Sequence, residues 1–106
     1  MSSGPFMYVN GRLVAADAAR ISPLDRGFTL ADGVFETMVA VGARVFRLAD
    51  HMERLREGAA LLLIPLPSEA RLAAAIEETL RANSLPRSIA RLTVTRGTDT
   101  GRGLAV

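Results

Sequence analysis

The chain contains no cysteine and no lysine. Without cysteine, neither a disulfide nor a thiolate metal site can form. Without lysine, all 13 basic side chains are arginines, and a formal charge of only +2 goes with a high isoelectric point because arginine titrates so high. Aromatic residues are 5% of the chain and the arginines are scattered, which speaks against a nucleic-acid surface. No apolar run approaches the roughly 18 residues of a membrane span. The opening MSSGP is more polar than a secretion signal, so a cytoplasmic protein is expected. With a single histidine, His51, and no cysteine, there is no nucleophile–base constellation, and no residues have transition-metal spacing. The glycines form neither a dinucleotide nor a P-loop pattern.

What remains is enough for one domain. Of 106 residues, 49% are hydrophobic and 23% charged, which suits a folded chain with one modest core rather than a disordered one. Met7 to Val14 reads as a hairpin, because Asn10-Gly11 suits a turn in which both central residues take positive φ. A loop broken by Pro23 runs through Ala15 to Arg26. Val34 to Val41 alternates as a strand, turns at Gly42-Ala43 and returns over Arg44 to Arg47. Leu48, Met52, Leu55, Ala59 and Leu62 step by four and three, which predicts a helix over 48–63. Ser68 can cap a second helix over 69–82. Ser88 to Thr95 then alternates as a strand with one apolar face, followed by the glycine-rich RGTDTGRGLAV. The expected fold is α+β: a mostly antiparallel sheet with two helices packed on it. The last residues carry no turn or cap, which reads as a chain cut from a longer one.

A few residues could carry chemistry. His51 and Arg54 share one side of the first long helix, and Gly58 extends that side with a bare backbone. Arginine is suited to a phosphate or carboxylate, while an ordinary surface arginine with a solvated or helix-capping histidine is the plain alternative. Arg91 belongs to the polar face of the last strand and fits either a solvent-facing charge or a ligand contact. Arg96 and Arg102 flank the terminal loop, which could enclose an anion or simply fray. Phe35 reads as core or as a pocket wall. Glu36 is the odd residue of its strand: once buried it needs a partner, for which Arg26 and Arg44 are candidates.

Several segments together resemble one family. YVNGRLV, ARISPLDRGFTLADGVFETM, HMERL and RLTVTRG with RGLA are similar, in order and spacing, to the first domain of class IV aminotransferases. These are the fold-type IV pyridoxal-phosphate enzymes: branched-chain and D-amino acid aminotransferases and aminodeoxychorismate lyases. The resemblance implies pyridoxal 5′-phosphate as cofactor, an amino acid or aminodeoxychorismate as substrate, and a homodimer. It implies that Arg54, the arginine of HxxRL, binds the cofactor phosphate. Phe35, where some relatives carry tyrosine, would line the substrate pocket, with Arg91 on the substrate side and Arg102 as a carboxylate trap reaching the partner subunit's site. Asp25, Arg26 and Asp32 are expected to fix the loop ahead of Phe35. The family's chemistry needs a Schiff-base lysine, which this chain lacks. Residues 1–106 are therefore expected to be the N-terminal domain of a longer enzyme, inactive alone, whose second domain supplies that lysine. A non-catalytic, dimerising, anion-binding module is the alternative.

Overall fold

The computed structural model describes residues 4–98. β1 (Phe6–Val9) and β2 (Arg12–Ala15) form a hairpin of their own. Asn10 and Gly11 close it with φ of 49° and 85°, the positive values that this two-residue turn demands. A 3₁₀ turn (Ala16–Ala18) and a short helix α1 (Arg26–Leu30) lead to β3 (Gly33–Val41). β4 (Arg44–Val45), α2 (Leu48–Leu62), α3 (Glu69–Asn83) and β5 (Arg87–Thr95) follow.

The second sheet has the order β4-β3-β5 and is antiparallel throughout. β3 and β5 pair along their whole length, from Gly33 opposite Thr95 to Val41 opposite Arg87. One face of this sheet is covered. Met38 and Ala40 of β3 meet Met52 and Leu55 of α2 and Leu72, Ile76 and Leu80 of α3, with Ala90, Leu92 and Val94 of β5 at the margin. The apolar stripe of α2 points into this core because its members recur every three to four residues. Ser68 caps α3 by accepting a hydrogen bond from the Arg71 amide (3.2 Å). The β1–β2 hairpin is tied to the end of α3 through Asn83, whose amide group both accepts from the Phe6 N–H (2.8 Å) and donates to the Phe6 carbonyl (3.0 Å).

The α+β expectation is met, with two differences. The returning strand β4 is only two residues long, because Arg47 takes a left-handed conformation (φ 57°) and starts α2. The run between the loop and β3 is also not plain approach: α1 occupies it. Asp25 caps α1 by accepting from the Gly27 amide (2.8 Å). A β-carbon on Gly27 would overlap Thr95 Cγ2 of β5 and stand 2.9 Å from its Cβ, so a glycine lets α1 lie against the sheet.

Candidate functional site

β3 alternates its side chains between two environments, and that alternation sorts the candidate residues. Glu36, Met38 and Ala40 point to the helix-covered face. Glu36 is 5% exposed, a carboxylate in the same buried row as a methionine and an alanine. Its partners come from α2. His51 Nδ1 lies 2.7 Å from Oε1, and because an ionised carboxylate only accepts, this ring nitrogen carries the proton. Arg54 donates twice, from Nε to Oε2 (3.0 Å) and from Nη2 to Oε1 (2.8 Å). The Arg54 hydrogen bonds, and then that of His51, hold the Glu36 carboxyl below the usual range against the opposing effect of burial; the same pairing raises the Arg54 guanidinium.

The spacing of three residues does bring His51 and Arg54 to one side of α2, as the sequence suggests, and both serve Glu36. The expectation that Arg26 or Arg44 would partner Glu36 is overturned. Arg26 is engaged elsewhere, with Nε donating to Asp32 Oδ2 (2.9 Å), and Arg44 is exposed on β4. Nor is His51 solvated or a helix cap, since its side chain is 17% exposed and bonded to Glu36. The Arg54 side chain remains 71% exposed. Two of its five N–H donors face Glu36, and the others have no protein acceptor among the described residues.

A second cluster fixes the approach to β3. Asp32 Oδ2 accepts from Arg96 Nε (2.7 Å) as well as from Arg26, and these bonds, Arg96 first, hold the Asp32 carboxyl below its ordinary value. Arg96 continues to the carbonyls of Leu62 (2.7 Å) and Leu63 (3.2 Å) at the end of α2, where a cation also meets the negative end of the helix dipole. Asp25 adds a bond from the Thr95 hydroxyl (3.1 Å). Asp25, Arg26 and Asp32 thus fix the loop as expected from their residue types. Arg96, a candidate anion ligand by sequence, is a structural clamp whose guanidinium is already engaged.

The other face of the sheet is open among the described residues. Phe35 is 54% exposed and is not core, which removes one of its two readings. The Arg91 guanidinium lies 4.1 Å from the centroid of the Phe35 ring, a cation–π stack. Register explains it: Phe35 pairs with Thr93 and Thr37 with Arg91, so ring and guanidinium are diagonal neighbours on one face. The structure therefore unites Phe35 with Arg91 and sets Arg54 on the opposite face of β3. Arg102 lies outside the described residues. The sequence reading placed Asp32 in the loop cluster and His51 beside Arg54, but it joined neither Arg96 to Asp32 nor His51 and Arg54 to Glu36. For His51 the available signal was a lone acid within an apolar strand row, paired with a histidine and an arginine three residues apart. Among the described residues no group of three or more histidines or acids comes together as metal ligands would.

The arrangement is suited to gripping an anion rather than to bond-making: among these clusters only Arg54 presents a guanidinium held on one edge and open on the other. The family model for amino-transferase class IV matches residues 33–105. A Methanocaldococcus jannaschii protein named "Putative branched-chain-amino-acid aminotransferase" is 39% identical over 92 residues, covering 86% of this chain and 32% of the relative. A D-alanine aminotransferase of Listeria monocytogenes is 32% identical over 95 residues, covering 89% of this chain and 33% of the relative. The crystal structure of 4-amino-4-deoxychorismate lyase from Pseudomonas aeruginosa superposes with a TM-score of 0.70 at 35% identity, covering 83% of this chain and 31% of that one. The chain thus spans about a third of the length of each of these relatives. With two thirds of its residues matching the family model, the chain belongs to the class IV aminotransferases.

Proposed function

We propose that residues 1–106 are the N-terminal domain of a pyridoxal 5′-phosphate-dependent aminotransferase or aminodeoxychorismate lyase. Arg54 holds the cofactor's phosphate, and Phe35, Arg91 and Arg102 contact the amino acid or aminodeoxychorismate substrate. The enzyme works as a cytoplasmic homodimer, and a second domain brings the lysine that this chain lacks. When bound, pyridoxal phosphate supplies an electron sink for bonds broken at a substrate's α-carbon.

The residues present fit such a group. The observation that carries the reading is the Arg54 guanidinium, bonded along one edge to a buried carboxylate and otherwise unsatisfied by protein among the described residues. A dianionic phosphate is the kind of acceptor that takes up such donors. On the reverse face Phe35 offers an apolar wall and Arg91 a cation for a substrate carboxylate. Charge-assisted bonds of this type contribute about 1.5–3 kcal/mol each. Replacing Arg54 with alanine in the intact protein should weaken pyridoxal phosphate binding about tenfold or more, as read by titrating the cofactor's absorbance. Unchanged affinity would remove Arg54 from the phosphate site.

The absence of lysine favours a second reading, a non-catalytic anion-binding module that dimerises. The two separate in an assay of the intact protein loaded with pyridoxal phosphate. Amino-group transfer from amino acids, or cleavage of aminodeoxychorismate, supports the enzyme. Cofactor retention with neither activity supports the module.

A further inference from the structure

A carboxylate at position 36 is expensive for the fold. It occupies a buried row between Val34 and Met38 and opposite Leu92, where an apolar side chain would serve the core as well. Its geometry suggests what the acid is for. Both oxygens are used, Oε1 by His51 and Arg54 together and Oε2 by Arg54 alone. His51 is itself mostly buried, so the carboxylate cannot swing, and a two-point bond to a fixed planar carboxylate also fixes the plane of the guanidinium. Arg54 is thereby an exposed side chain with a single orientation. Left alone, a side chain of this length samples many rotamers and loses that freedom only when a ligand arrives.

We propose that Glu36 is a positioning residue: seated on His51, it orients the Arg54 guanidinium so that its outer edge receives a phosphate-bearing ligand without prior ordering. This rests on the role of Arg54 given above and adds a residue that never touches the ligand. Removing the arrangement should cost the affinity that preorganisation supplies, about three- to tenfold for one long side chain.

The test compares pyridoxal phosphate with pyridoxal, which lacks the phosphate, by fluorescence titration of the intact apo-protein. Glu36→Gln keeps size and shape but replaces one acceptor with an NH₂ group that cannot receive the arginine. The expected result is a loss of about three- to tenfold for pyridoxal phosphate and none for pyridoxal. On an Arg54→Ala background, the same change should cost nothing further, because its effect passes through the arginine. Arg54→Lys, a change on an exposed side chain, retains the charge but not the two-point bond and should lose a similar share of the phosphate preference. Equal losses for both ligands, additive losses on the Arg54→Ala background, or full phosphate preference in Arg54→Lys would each overturn the positioning role. If Arg54→Ala itself leaves the phosphate preference intact, the reading of Arg54 falls, and with it this proposal.

Discussion

At the scale of single residues, the chain's acid sensitivity should lie in two carboxylates. Glu36 and Asp32 both have folded-state pKa values below their ordinary ones, the first chiefly through Arg54 and the second chiefly through Arg96. A carboxyl group depressed on folding binds protons more readily when unfolded. Its stabilisation is therefore complete above its ordinary value, 4.5 for Glu36, and is lost as the pH falls through the lower folded value. Urea midpoints measured from pH 7 downwards should hold until about pH 5 and then decline. In Glu36→Gln the midpoint should begin lower and decline less steeply, since the group that titrates is gone. A slope identical to wild type would mean that Glu36 does not report on folding. The sequence marks Glu36 as anomalous, an acid in a strand that otherwise alternates cleanly, but not its partners. Arg26 and Arg44 are nearer along the chain than Arg54. The outcome depends on how α2 docks across β3, a tertiary choice that no local pattern encodes.

The elements themselves divide by length. α2, α3 and β5 are legible to within a residue or two, because several turns of apolar periodicity or a full strand of alternation outweigh any single residue. α1 is not legible by that means. Five residues carry little more than one turn and no periodicity, and an isolated helix of that length is unstable in water. It exists because Asp25 caps it and because the sheet accepts it: the Arg26 amide donates to the Gly97 carbonyl (2.7 Å) and the Arg96 amide to the Asp32 carbonyl (3.1 Å). Gly27 is the critical position. Gly27→Ala would drive a methyl group into Thr95 and should destabilise the protein by about 1–3 kcal/mol, although alanine is the better helix former. Thr95→Ser removes the overlapping Cγ2 but keeps the hydroxyl that donates to Asp25. Combining the two should recover part of the loss, readable as non-additivity of thermal midpoints. A Gly27→Ala protein as stable as wild type would show that α1 does not lie against β5 in solution.

At the scale of the whole fold, the described residues are one-sided. Helices cover one face of the β4-β3-β5 sheet, and the other shows Phe35, Val39, Val41 and Ile89, each more than half exposed. Fold class is legible from element order, and one apolar face from the alternation of β5, yet which residues of β3 and β5 stand together on the open face is not. Residues of β3 and β5 share a face only through a register set between strands that are far apart in the chain, and the Phe35–Arg91 stack is a product of that register. The difference between the faces can be measured. Met38→Ala, within the covered face, removes a side chain that is 1% exposed and should cost about 2–5 kcal/mol. Ile89→Glu, on the open face, exchanges an apolar side chain for a charged one, but Ile89 is 72% exposed and flanked along its own face by Arg87 and Arg91, which favour an acid there. Thermal unfolding of residues 1–106 should change by no more than about 0.5 kcal/mol, while light scattering at high concentration falls because the apolar patch is broken. A loss from Ile89→Glu comparable to that from Met38→Ala would mean that the open face is covered within these residues, and that Phe35 and Arg91 are closed to the substrate proposed for them.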